Sequence, residues 1–194
     1  MALKRSLELL SPARDLECGI AAIDHGADAV YIGAPKFGAR AAAGNSLADI
    51  TALIAYAHRY WARVYVTLNT LLYDHEIQEA RDLVVQLHEA GADALIFQDM
   101  ALLELDLPPI PLFASTQTHN YDIQKIQFLE QIGVQRVILA RELSATQISA
   151  IRAASRVELE AFVHGALCVS FSGQCYLSEA VKDRSANRGE CAQM

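Results

Sequence analysis

Residues 24–33, DHGADAVYIG, recur in degenerate form as EAGADALIFQ at 89–98 and QIGVQRVILA at 131–140. Each reads as the end of a helix, a glycine, two or three turn residues, and then a nearly unbroken apolar run. A glycine just past a helix accepts the left-handed backbone that turns the chain. An apolar run without polar alternation is a strand buried on both faces. Repeated αβ units of this kind build a parallel sheet covered by helices. The intervals between the copies are unequal, so this is not a solenoid of fixed period.

Working outward, four more strands are expected: LELLS from Leu7, RVYVTLN from Arg63, PLFAS from Pro111 and VELEAFV from Val157. Helix-period segments lie between the strands. Ser46 with Asp49 and Ser144 with Gln147 have capping-box spacing, and Asp74 is placed to cap the helix running to Ala90. Seven strands with intervening helices predict an α/β fold of the TIM-barrel type, a (β/α)8 barrel lacking its last unit. A complete barrel takes about 250 residues. A doubly wound sheet is the alternative, but its glycine-rich first turn is absent; the first turn here is SPARD.

The expected division is a barrel over residues 1–164 and a cysteine-containing, loop-rich region over 165–194. The second stretch, GALCVSFSGQCYLSEAVKDRSANRGECAQM, carries no clear period. Neither an eighth strand nor a closing helix follows, so the chain is expected to be the N-terminal part of something longer.

Composition narrows the function. Of 194 residues, 53% are hydrophobic, which suffices for one substantial core. Glycine, proline and cysteine counts of 10, 5 and 4 exclude collagen-like, disordered and disulfide-scaffold classes. No membrane-length apolar run and no secretion signal are present, so a cytoplasmic protein is expected. A net charge of −7 argues against a surface that grips nucleic acid everywhere, though not against a local basic site.

Several catalytic motifs fail. His75-Glu76 and His88-Glu89 begin like a zincin helix, but the second histidine is replaced by Glu79 and Ala92. Gly33 and Gly38 have P-loop spacing, yet Ala39 and Arg40 stand where lysine and a hydroxyl are required. There is no G-x-S-x-G elbow. Cys168, Cys175 and Cys191 instead gather in the one polar, glycine-containing stretch. Thiols wrapped in a loop suit a metal or iron–sulfur cluster; free thiols are the other reading. Cys18, on the first helix, is the poorer fourth ligand. Barrels keep their active sites at the C-terminal ends of strands, which nominates Asn69, Gln98, Asp99, Ser115, Gln117, Arg141 and His164, with Glu160 inside the seventh strand. Lys36 and Arg40 could bind an anion or be ordinary surface charges. His58 and His88 read as solvated helix positions.

EAFVHGALCVSFSGQCYLS, residues 160–178, closely resembles the signature of the collagenase-like peptidase family U-thirty-two: Glu160, Phe162, Gly165-Ala166, Cys168, Gly173, Cys175 and Ser178 match in order. ELLSPARD, HGADAVYIGAP, FGARAAAGNS, VTLNT, QDMALLELDLPPI, ASTQ, ILAREL and RSANRGECAQ resemble the branch that hydroxylates a cytidine in large-subunit ribosomal RNA. The resemblance implies a barrel and an iron–sulfur cluster, a four-iron four-sulfur one held by Cys168, Cys175 and Cys191 with its fourth ligand outside this chain. It also implies prephenate as precursor and ribosomal or transfer RNA as partner. Glu160, His164, Arg141, Asn69 and Gln117 are then the candidate catalytic residues. A peptidase using Glu160 or His164, and an accessory iron–sulfur protein, are the alternatives.

Overall fold

The computed structural model describes residues 7–39 and 44–193. Seven strands form one parallel sheet in sequence order: β1 (Leu10–Ala13), β2 (Ala29–Gly33), β3 (Arg63–Leu68), β4 (Ala94–Phe97), β5 (Leu112–Ala114), β6 (Arg136–Ile138) and β7 (Glu158–Glu160). The helices are α1 (Leu16–Asp24), α2 (Leu47–His58), α3 (Ile77–Glu89), α4 (Ile123–Gln131), α5 (Ala145–Ala154) and α6 (Leu177–Lys182). This is the α/β barrel architecture expected, curled into a half-barrel with β1 and β7 as its two edges.

Strand parity explains the two apolar layers. Val30, Ile32, Val64, Val66, Leu95, Phe97 and Val137 face outward and pack under helical residues such as Leu53, Val84 and Leu129. The alternate residues, Ala29, Tyr65, Ala94, Ile96, Phe113 and Ile138, line the concave face, with Leu10 and Tyr31 against them. Both faces of the inner strands β2 to β6 are therefore largely covered, which is why those strands lack polar alternation, whereas the edge strand β7 keeps Glu158 exposed. The repeated glycines Gly26, Gly91 and Gly133 have φ of 97°, 91° and 95°, a backbone region in which a side chain is strained.

Local signals hold with three corrections. Ser46 and Ser144 form complete capping boxes with Asp49 and Gln147, and Asp15 caps α1 by accepting the Cys18 N–H. The first strand begins at Leu10 rather than Leu7: the Leu9 N–H donates to the Asp28 carboxylate, and its carbonyl accepts the N–H groups of Asp28 and Ala29 where β2 begins. Asp74 opens a 3-10 turn over Asp74–Glu76, one turn before α3, and Glu76 takes the Tyr73 N–H at 2.8 Å. Between β4 and β5 there is no α-helix, only a 3-10 turn over Met100–Glu104. The link is short and carries Pro108 and Pro109, which cannot extend a helix.

Among the described residues no helix is long and apolar enough to cross a membrane.

Candidate active site

All parallel strands end on one rim, and there the loops enclose an open cavity of about 1160 Å³. Asn69, Gln117, Arg141, Glu160 and His164 line it, as do Cys168, Cys175 and Cys191. The convergence expected of strand-end residues far apart in sequence is observed.

The cavity floor is set by the barrel interior. Glu160 projects inward from β7, beside Ile138 of β6 and one pleat above Glu158. Burial pushes its carboxyl up to about 7, against the pull of the Arg136 guanidinium 3.4 Å away, while nearby Glu8 pushes in the same direction as burial. Such a carboxyl exchanges a proton near neutrality, the property a general acid or base requires. Burying a carboxylate is costly unless it is paired, and Arg136 offsets that cost only in part.

Amides and hydroxyls form the wall. Asn69, just past β3, donates from Nδ2 to Ser115 Oγ at 3.2 Å, and its Oδ1 accepts the Ala39 N–H. Ser115 Oγ also accepts the Gln117 N–H at 3.1 Å. Gln98 is buried and donates to Asn187 Oδ1, while Asp99 accepts the N–H groups of Leu72 and Ala101. Gln98 and Asp99 therefore serve as loop anchors. Lys36 pairs with Glu79 on the surface, and Arg40 lies outside the described residues. His58 bonds Asp93 at 3.0 Å from α2, and His88 belongs to α3; neither lines the cavity.

The lid over the cavity is the segment after β7. Residues 161–169 are exposed, yet Ser172 is only 1% exposed. The loops after β5 and β6 grip it. Its N–H donates to Glu142 Oε1 at 2.5 Å, its Oγ accepts from Arg141 N and Nε at 3.3 and 3.2 Å, and its carbonyl accepts from His119 Nδ1 at 2.7 Å. His119 reaches this position from a left-handed backbone, φ 55°. Further along, Arg188 forks onto Glu76, donates to the Leu71 carbonyl and lies over the Tyr73 ring. These two grips hold the cysteine-bearing segment onto the rim. The lid also contains a short helix, α6, in a stretch that showed no period.

All four thiols are free, and Cys18, on the first turn of α1, is absent from the cavity lining. A hydrogen bond from the Ser170 backbone holds Cys168 below the usual thiol range, with Arg141 assisting. Three soft thiols on one cavity have the donor chemistry of a cluster site. Their placement is open: among the described residues no three His, Cys, Asp or Glu side chains are grouped to grip one ion.

A model of peptidase family U32 matches residues 14–194. The chain belongs to this family. It is 56% identical over 187 residues to the 23S rRNA 5-hydroxycytidine C2501 synthase of Escherichia coli (strain K12), covering 96% of this chain and 29% of that protein. It is 35% identical over 190 residues to tRNA hydroxylation protein P1 of Bacillus subtilis (strain 168), covering 96% and 45%. Among solved structures, the U32 peptidase Mk0906 superposes with a TM-score of 0.66 at 14% identity, covering 83% of this chain and 70% of that one, a likeness of fold. This U32 chain thus spans less than half the length of the two named relatives.

Proposed function

We propose that this chain is the half-barrel portion of an RNA-modifying hydroxylase acting on a cytidine of large-subunit ribosomal RNA, in the cytoplasm. The observation that carries this reading is the 56% identity, over 96% of the chain, to a protein named for that modification. Polar groups on the cavity wall support it: Asn69 and Gln117 present amide groups suited to the edge of a base, and Glu160 can hold or release a proton at its carboxyl oxygen. Arg141, whose Nε is held by Ser172, offers the rest of its guanidinium fork to an anionic group. A phosphate of the RNA or a carboxylate of prephenate fits that role.

Cys168, Cys175 and Cys191 would hold an iron–sulfur cluster, with a fourth ligand from outside this chain. When bound, such a cluster supplies electron transfer. Three thiols held on a lid can close together when a cluster provides the bonds.

Peptide hydrolysis is less well supported. Ser115 and Ser172 accept hydrogen bonds at Oγ from N–H donors, and among the described residues neither donates to a base. A serine nucleophile needs an adjacent proton acceptor.

The test uses the whole protein, prepared anaerobically. Iron and acid-labile sulfide should be present, and Cys168→Ser, Cys175→Ser and Cys191→Ser should each lose them, while Cys18→Ser keeps them. Mass spectrometry of ribosomal RNA nucleosides should show loss of the hydroxylated cytidine with Arg141→Ala. Full iron in all three loop variants would remove the cluster from the proposal; unchanged RNA in cells lacking the protein would overturn the function.

A further inference from the structure

Arg136 starts β6, yet its side chain turns into the half-barrel, where it lies over the rings of Phe113 and Tyr65 at 4.5 and 5.2 Å. The residue is 7% exposed. Three carboxylates reach it. Nε and Nη2 donate to Glu158 at 3.0 and 2.9 Å, and Nη1 serves both Glu8 at 2.6 Å and Glu160 at 3.4 Å. Glu8 stands just before β1, so its contact spans the mouth of the curl from the first strand to the sixth. It also accepts the Tyr65 hydroxyl at 2.8 Å and Arg63 Nη1 at 3.3 Å.

One guanidinium has five N–H donors in a fixed plane. Two carboxylates therefore claim it at close range, and Glu160 has the longest contact, on a nitrogen already committed to Glu8. Of the three, Glu160 alone lines the cavity. The other charged or titratable groups lining the cavity are Arg14 and Asp15 after β1, Tyr31 of β2, Arg141 after β6, and His164 and the three thiols of Cys168, Cys175 and Cys191 after β7; β4 and β5 contribute Ile96 and Ser115.

We propose that Arg136 is a positioning residue for Glu160: anchored from outside by Glu8 and Glu158, it aims the third carboxyl at the cavity and leaves it the most loosely paired of the three. The consequence for chemistry rests on the reading of Glu160 as the proton-handling group; the coupling itself does not. The direction of the effect follows from charge. An opposite charge within about 4–6 Å favours the ionised carboxyl, and a like charge disfavours it. Removing a competitor for Arg136 therefore favours ionised Glu160 twice over, by releasing the guanidinium and by deleting a nearby negative charge.

The measurement is an infrared pH titration of the whole protein, with the protonated-carboxyl band of Glu160 isolated by subtracting the spectrum of Glu160→Gln. In the wild type that band should persist above pH 5. Glu158→Gln, a change at a largely solvent-facing side chain, should lower its midpoint by about one pH unit, and Glu8→Gln should lower it at least as far. Arg136→Met should raise it, and if that variant does not fold the two glutamine variants still decide. A wild-type Glu160 already ionised at pH 5, or a midpoint unmoved in both glutamine variants, overturns the proposal. Wild-type levels of RNA hydroxylation in Glu160→Gln, with the midpoints shifting as stated, would instead remove Glu160 from the chemistry and leave the coupling intact.

Discussion

Glu76 receives both terminal nitrogens of Arg188, at 2.7 and 2.6 Å, although 112 positions separate them. This fork, with the Leu71 N–H donating to the Asn187 carbonyl at 2.9 Å, ties the tail of the lid to the loop after β3. Cys191 lies three residues beyond Arg188, so its place at the cavity depends on that tie. Arg188→Ala should make Cys191 react roughly tenfold faster with a maleimide in metal-free protein, since hydrogen bonds to a charged group are worth on the order of 1.5 kcal/mol. Peptide-resolved mass spectrometry reads the rate. The tie should also resist acid. The Arg188 guanidinium holds Glu76 down to about 2 from an ordinary 4.5, so its contribution is present above 4.5 and is lost as pH falls toward 2. Equal labelling of variant and wild type at pH 7 would show that Cys191 is held by something else.

The other grip on the lid depends on Gly173. A Cβ there would stand 2.3 Å from the Gln117 carbonyl oxygen and 3.0 Å from the His119 nitrogen, and its φ is 74°. Those atoms are backbone and cannot swing aside. Gly173→Ala should therefore lift the segment from the loops after β5 and β6 and free Ser172 from Arg141, Glu142 and His119. Amide hydrogen exchange across 166–176 should quicken by an order of magnitude or more, while far-UV circular dichroism stays unchanged because the barrel lies elsewhere. Protected amides in that peptide would mean the loops can rearrange around a methyl group.

What was legible in the sequence follows what is periodic. Ala29–Gly33 and Arg63–Leu68 announce themselves through β-branched and aromatic runs, and Ser46 and Ser144 through the acceptor three residues on. Asn69, Gln117, Arg141 and His164 could be placed together because parallel strands must all end on one rim. Arg136 carries no motif that marks it out at the start of its strand. Its parity with Ile138 points it inward, and Glu158 and Glu160 share a face, but the bond that completes the set comes from Glu8, 128 positions away. No local pattern encodes that. Ser172, His119 and Glu142 escaped for a related reason: small and polar residues in an aperiodic stretch become meaningful only once two other loops close on them.

Asn120 illustrates such a hidden residue, being fully buried where β5 and β6 end. Its Nδ2 donates to the carbonyls of Ala114, Ser115 and Ile138, and its Oδ1 accepts from Thr118 Oγ1 at 2.6 Å. Asn120→Ala should cost about 2–4 kcal/mol in urea unfolding, because several buried carbonyls lose a donor. Asn120→Asp keeps the shape but turns an oxygen toward three carbonyl oxygens, so it should be at least as damaging. An aspartate variant as stable as wild type would show that water, not Asn120, satisfies those carbonyls.

Glu160 gives the sharpest pH test of the barrel interior. Its carboxyl titrates at about 7 in the folded chain against an ordinary 4.5. The folded state therefore binds a proton more tightly than the unfolded state across that interval. Stability contributed by the protonated group is complete below 4.5 and is lost as pH rises through 7. At roughly 1.4 kcal/mol for each pH unit, the loss approaches about 3 kcal/mol at pH 8. Glu160→Gln keeps the volume and a hydrogen-bonding group for Arg136 while removing the charge that burial penalises. The variant should match wild type at pH 5 and exceed it by about 1–3 kcal/mol at pH 8, read from denaturant unfolding at the two pH values. The opposite result, a variant weaker than wild type at pH 8, would mean that attraction to Arg136 outweighs burial and that Glu160 enters the cavity as a fixed negative charge.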